Sequence, residues 1–98
     1  MGEAPVIERH DGRFRVRGSV TLASVQVLLD QGKQTFAGDD LRIDLSGVTE
    51  ADSSAVALML EWERQASSRG ASIRFENLTE SLKTLIGLYD VGELLPGA

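Results

Sequence analysis

The stretch LRIDLSGVTEADSSAVALMLEW, residues 41–62, contains a change of period that decides the fold. Leu41, Ile43 and Leu45 alternate with Arg42 and Asp44, which is the pattern of a half-buried strand. Ser46-Gly47 closes that strand, and Val48 to Ser54 reads as a connecting loop. The period then becomes helical. Val56, Met59, Leu60 and Glu63 trace one row, and Ala55, Met59, Trp62 and Ala66 trace the next. The helix is expected from about Ser54 to Ser68. Its first half is apolar nearly all round and should be almost fully buried, with Trp62 in the core. Its far half turns polar at Glu61, Glu63, Arg64 and Gln65.

The same reading extends in both directions. Upstream, Leu22, Val25, Leu28, Leu29 and Phe36 keep helical spacing, with Thr21 as a cap and Gly38-Asp39-Asp40 as the stop. Before them, Phe14, Val16 and Gly18 alternate with Arg13, Arg15 and Arg17. The turn His10-Asp11-Gly12-Arg13 joins that strand to a short one over Pro5 to Arg9, as an antiparallel hairpin. Downstream, Arg69-Gly70 ends the central helix. Ala71, Ile73 and Phe75 then alternate with Ser72, Arg74 and Glu76. Asn77 or Thr79 caps a third helix carrying Leu82, Leu85, Ile86 and Tyr89, with Asn77 and Glu80 spaced as a variant capping box. Val91 to Leu95 adds a last short turn, and Pro96 stops it. The order β-β-α-β-α-β-α predicts one α/β domain over residues 1–98, a mixed four-stranded sheet covered by helices.

Composition excludes several classes of function. The chain has 98 residues, 42% hydrophobic and 26% charged, as in a globular domain, and it has no cysteine to build a disulfide or a thiolate metal site. Its net charge is −5, which argues against a nucleic-acid partner and against attraction to an anionic membrane. Arg13, Arg15 and Arg17 lie at period two and read as a solvated strand face. Met1-Gly2-Glu3-Ala4-Pro5 shows no basic patch followed by an apolar run, so no secretory signal is expected. The longest apolar run, Ala55 to Leu60, is too short to span a bilayer. The expected protein is soluble, and it reaches a membrane only through a partner.

The residues also lack a catalytic set. The single histidine, His10, falls in a hairpin turn without a positioned partner. Asp39-Asp40 and the pair Glu50 and Asp52 have neither the spacing of a calcium loop nor histidines for zinc. There is no phosphate-cradling glycine pattern. No enzyme activity, metal or cofactor is expected. What remains is Asp52-Ser53-Ser54 at the mouth of the buried helix. Capping by Asp or Ser accounts for such a trio by itself. Two features exceed a cap: the loop is small and polar, and the dense apolar packing behind it makes a rigid platform for a surface site. A hydroxyl there that took a phosphate would add about −1.5 to −2 charges beside helix-terminal amides.

Taken together, Asp44-Leu45-Ser46-Gly47-Val48, then Asp52-Ser53-Ser54-Ala55 and a buried helix resemble the signature of STAS domains, which include the bacterial anti-sigma-factor antagonists. The family usually has Gly where Ala55 stands. Within it, Leu58-Met59-Leu60-Glu61-Trp62, Phe75-Glu76-Asn77-Leu78, and Ser81-Leu82 followed by the run Leu85 to Pro96 look most like the MlaB-type branch. The resemblance covers nearly the whole chain. It implies an accessory subunit of a phospholipid-transporting Mla-type ABC complex that maintains outer-membrane lipid asymmetry. Such a subunit binds the cytoplasmic ATPase (MlaF-like) and through it the membrane permease, on the cytoplasmic side of the inner membrane. The family's key hydroxyl maps onto Ser53, with Asp52 and Ser54 as neighbours. In the antagonist branch the same position is a phosphoserine, so the resemblance also implies an alternative, an anti-sigma-factor antagonist controlled by phosphorylation at Ser53.

Overall fold

The Asp11-Gly12 turn works as its sequence suggests. Both residues have positive φ, 49° and 77°, the pair of angles that a two-residue hairpin with the natural strand twist requires. The turn pairs β1 (Val6–His10) with β2 (Arg13–Val20), antiparallel and with His10 opposite Arg13. The computed structural model describes residues 4–98; Met1, Gly2 and Glu3, which opened the reading of the N-terminus, lie outside the described residues. After β2 come α1 (Val25–Thr35), β3 (Asp40–Ala51), α2 (Ser53–Ser68), β4 (Ser72–Glu76), α3 (Glu80–Tyr89) and a 3₁₀ turn at Gly92–Leu94.

The sheet order is β1-β2-β3-β4, with β2–β3 and β3–β4 parallel. Each crossover steps the same way across the sheet, and right-handed crossovers therefore place α1 and α2 on one face. Leu82 and Ile86 of α3 join the same core. The inward residues of the strands, among them Phe14, Val16, Ile43 and Phe75, are fully buried there. Trp62 is 2% exposed. Its ring meets Phe36 edge to face at 5.0 Å, and Phe36 meets Phe14 at 5.0 Å, geometries that favour aromatic pairs beyond their burial. Gly32 makes room for this stack, since a Cβ there would lie 2.9 Å from the Trp62 indole nitrogen. The opposite face of the sheet is polar. On it Arg17 pairs with Glu8 at 2.9 Å, while Arg13 and Arg42 both reach Glu76, at 3.1 and 2.6 Å. The solvated arginine face is as expected. Among the described residues no helix is long and apolar enough to cross a membrane.

Three local expectations are corrected. First, α1 begins at Val25 rather than near Leu22. The Thr21 carbonyl, not its side chain, accepts from the amides of Ser24 and Val25, each at 2.9 Å. Ser24 turns its hydroxyl to the Ser19 carbonyl at 2.7 Å. Leu22 is left 77% exposed instead of joining the apolar stripe. Second, β3 does not close at Ser46-Gly47 but continues to Ala51, still paired with β2 (Gly18 with Val48, Val20 with Ala51). Two register shifts along this pairing each leave an extra residue in β3, which breaks the alternation by which a strand is recognised. At the first shift the Asp44 carboxylate accepts from the Ser46 amide at 2.9 Å. Third, the Asn77–Glu80 capping box is not formed: of the two expected caps Thr79 is the one used, its hydroxyl accepting from the Leu82 amide at 3.3 Å, and Asn77 lies in the preceding turn with φ 55°.

Gly47 sits inside the extended strand because no side chain fits. A Cβ there would lie 2.7 Å from Arg17 Cγ and 3.0 Å from the Val16 carbonyl oxygen. Gly47→Val is therefore expected to destabilise the domain by about 1–3 kcal/mol through overpacking against backbone, read as a lowered midpoint in urea unfolding.

Candidate functional site

The last residues of β3 deliver the chain to α2 through a single extended residue, Asp52 (φ −128°, ψ −168°). Its amide donates to the Val20 carbonyl at 3.3 Å, which continues the β2–β3 ladder. One carboxylate oxygen, Oδ1, accepts from the Ser54 amide at 2.8 Å, and the other, Oδ2, accepts from the Leu22 amide at 3.1 Å. The first bond is the N-cap expected from the sequence. The second is not local: it pins the loop between β2 and α1 against the start of α2. Burial by itself raises the Asp52 carboxyl pKa, but the bonds from Leu22 and from Ser54, amide and hydroxyl, outweigh it and hold the group below its ordinary value of 3.8.

Asp52 is thus engaged inside the domain and half-buried. Ser53, the first residue of α2, is exposed, and Ser54 is half-buried against Asp52. Directly behind them Ala55, Val56, Leu58 and Met59 are buried, so the helix start is a fixed point on the surface. Ala55, at 2% exposure, donates its amide to the Asp52 carbonyl at 2.9 Å. The three residues singled out in the sequence therefore stand together but differ in role: Asp52 builds the corner and Ser53 is presented by it.

The surroundings of Ser53 are apolar. Ser53, Val56, Ala57 and Leu60 of α2 face Tyr89 and Val91 across an open groove of about 420 Å³. Ala57 is exposed, Tyr89 is 49% exposed, and Leu60 and Val91 are half-buried. Sequence reasoning placed Leu60 and Tyr89 in core rows and did not single out Ala57 or Val91. A signal was present, since α2 is apolar around more of its circumference than one core stripe requires.

Chemically, the corner offers a hydroxyl, an engaged carboxylate and an apolar wall. Nothing there pairs a nucleophile with a base. His10 is exposed in its hairpin, 3.5 Å from the equally exposed Asp11. Among the described residues no three His, Cys, Asp or Glu side chains cluster as metal ligands would.

Comparison with known proteins agrees with this architecture. A family model described as "Mlab, STAS domain" matches residues 4–96. The chain superposes on the anti-sigma factor antagonist SpoIIAA in its unphosphorylated form with a TM-score of 0.69 and 15% identity, over 94% of this chain and 85% of that one. A structure titled "Crystal Structure Analysis of Mglu" matches with a TM-score of 0.58 and 18% identity, over 76% of this chain and 20% of that one. At these identities the likeness is one of fold. A search of curated protein sequences matches nothing.

Removing the Asp52 carboxylate should loosen both contacts it makes. Asp52→Ala is expected to cost about 1–2 kcal/mol, and Asp52→Asn, which keeps an acceptor for Ser54, less. The pH dependence has a definite sign. A carboxyl whose folded pKa lies below its unfolded one contributes fully above the unfolded value and loses that contribution as pH falls through the folded value. Urea unfolding from neutral into acid conditions should show this loss in the wild type, and the stability difference from Asp52→Asn should shrink there; a difference constant with pH contradicts the assignment.

Proposed function

The chain belongs to the MlaB-type STAS domain family, and from that premise we propose that it is a non-catalytic accessory subunit that docks onto the cytoplasmic ATPase of an Mla-type ABC transporter of phospholipids. In this reading it reaches the inner membrane only through the ATPase and permease, and it supports the lipid asymmetry of the outer membrane. The observation that carries the docking claim is the exposed Ser53 hydroxyl, held on a capped and buried helix start at the edge of an apolar groove. A small hydroxyl at such a corner admits close approach of another protein surface. The rigid core behind it means that little ordering free energy is lost on binding. The run from Leu85 to Pro96, which carries the likeness to the MlaB branch, is also consistent with this role. It supplies Tyr89 and Val91 to the groove, and its end anchors the domain through buried Leu95 and through the Pro96 carbonyl, which accepts from the Phe75 amide at 2.8 Å.

A second reading follows from the same exposed hydroxyl and from the fold shared with an anti-sigma factor antagonist: partner switching controlled by phosphorylation of Ser53. The two readings differ in partner and in chemistry. Co-expression with the transporter ATPase and copurification decides the first. Wild type and Ser53→Ala should copurify with it, and Ser53→Asp, which sets a carboxylate beside Asp52, should reduce recovery roughly tenfold or more, the effect of disturbing one central contact. Recovery of Ser53→Asp equal to wild type counts against docking at this residue. For the second reading, an anti-sigma-type serine kinase should add one phosphate to the wild type and none to Ser53→Ala by intact mass.

A further inference from the structure

The groove beside Ser53 also constrains what can fill it. Its walls come from α2, the last residue of α3 and Val91 just beyond it; along Val56, Ala57 and Leu60 the backbone N–H and C=O groups are paired within the helix, and only the terminal groups of Ser53 and Tyr89 lie outside such pairing. An extended segment laid there would find side chains but no ladder partner for its own backbone, and unpaired buried backbone groups are costly. The open strand edges of the sheet belong to β1 and β4, not to this groove. The occupant that satisfies its own backbone while presenting an apolar stripe is an α-helix.

The rim sets the charge of that helix. The charged residues adjacent in sequence to a lining residue are Asp52, Glu61 and Asp90, all acids, and Glu93 follows Val91 closely. The nearest cation along α2, Arg64, is held by Glu61, with its Nε 2.9 Å from the carboxylate. The arginines of the domain are concentrated elsewhere: Arg13, Arg15, Arg17, Arg42 and Arg74 all belong to β2, β3 and β4, at positions alternating with the buried ones. With Glu61 paired to Arg64, the acids nearest the apolar lining along the chain are Asp52, Asp90 and Glu93, on a chain whose net charge is −5.

We infer that the groove formed by Ser53, Val56, Ala57, Leu60, Tyr89 and Val91 receives an amphipathic helix of the partner protein, apolar on one face and flanked by lysine or arginine. The inference rests on the reading of Ser53 as a docking point and specifies the chemistry of what docks there. Basic flanks speed encounter and fix register, while the apolar stripe supplies most of the affinity.

Two synthetic helical peptides test it, identical in their apolar stripe but flanked by Lys in one and Glu in the other, with a shuffled Lys peptide of the same composition as a third probe. The Lys peptide should bind the intact chain by fluorescence anisotropy and weaken as salt is raised. Amide shifts in NMR should centre on Ser53, Ala57, Leu60, Tyr89 and Val91. The Glu and shuffled peptides should bind at least roughly tenfold more weakly, and Ala57→Arg should weaken the Lys peptide by a similar factor without moving the thermal midpoint, because Ala57 is exposed. Equal binding of Lys and Glu peptides, shifts centred elsewhere, or undiminished binding to Ala57→Arg overturns the inference. The docking reading fails separately. If Ser53→Asp loses the ATPase while the Lys peptide misses the groove, docking stands and this occupant is overturned. If the peptide fills the groove while Ser53→Asp keeps the ATPase, the occupant is supported and the ATPase reading falls.

Discussion

The two hydrogen bonds accepted by the Asp52 carboxylate hold the corner at the start of α2 together. Through Ser54 it closes the N-terminus of α2, and through Leu22 it fixes the loop that leads into α1. Its own amide extends the β2–β3 ladder. Two segments thirty positions apart, Val20–Leu22 and Asp52–Ser54, therefore meet at one residue, and the position of Ser53 is set by both. A cap by itself would leave the helix start in place but the neighbouring loop free. The contact with Leu22 adds a second, non-local constraint. The contact uses only the Leu22 backbone and places no demand on its side chain, which is 77% exposed.

The layered architecture divides the surface into two kinds. Helices cover one face of the sheet, and the other is left to arginines and the carboxylates that pair with them. That face is charged and partly paired: Glu76 serves two arginines and Glu8 a third. The exposed Arg17–Glu8 pair contributes little stability, whereas the Glu76 side chain, 15% exposed, is largely covered and held by Arg13 and Arg42. The helical face is different. Between α2 and α3 the packing is incomplete, and Leu60, Tyr89 and Val91 are only partly covered. A partner that covers them gains the hydrophobic burial that folding left unused, and it does so directly beside the rigid serine.

Period and punctuation made most of this fold legible. The Asp-Gly hairpin, the alternation in β2 and β4, and the apolar rows of α2 each have one dominant physical cause, and each was placed by the sequence to within a few residues. The failures have other causes. The full length of β3 was hidden because its bulges disrupt alternation after Leu45, and its pairing with β2 is tertiary, outside any local window. The start of α1 was misplaced because Thr21 looks like a side-chain cap while its carbonyl does the accepting, in a local turn within Ser19–Val25 that residue type does not announce. At the site, Asp52 was legible as a cap, but its bond to Leu22, thirty positions away, was not. Ala57 and Val91 escaped notice because a small or aliphatic residue acquires meaning only from what it faces.

The engagement of Asp52 bears on how such a corner responds to added charge. Asp52 already supplies the negative charge that a helix N-terminus favours, and it occupies the Ser54 amide that an incoming anion would otherwise use. The Ala55 amide is taken by the Asp52 carbonyl. A phosphate or carboxylate at position 53 would therefore meet few free donors and a carboxylate kept ionised by its own hydrogen bonds. It would remain at the surface, uncompensated, at the mouth of an apolar groove. The helix would persist, because its cap is internal, while the surface seen by a partner would change sharply. Separating the residue that stabilises the corner from the residue displayed on it allows the displayed one to vary, or to be modified, without unfolding the domain.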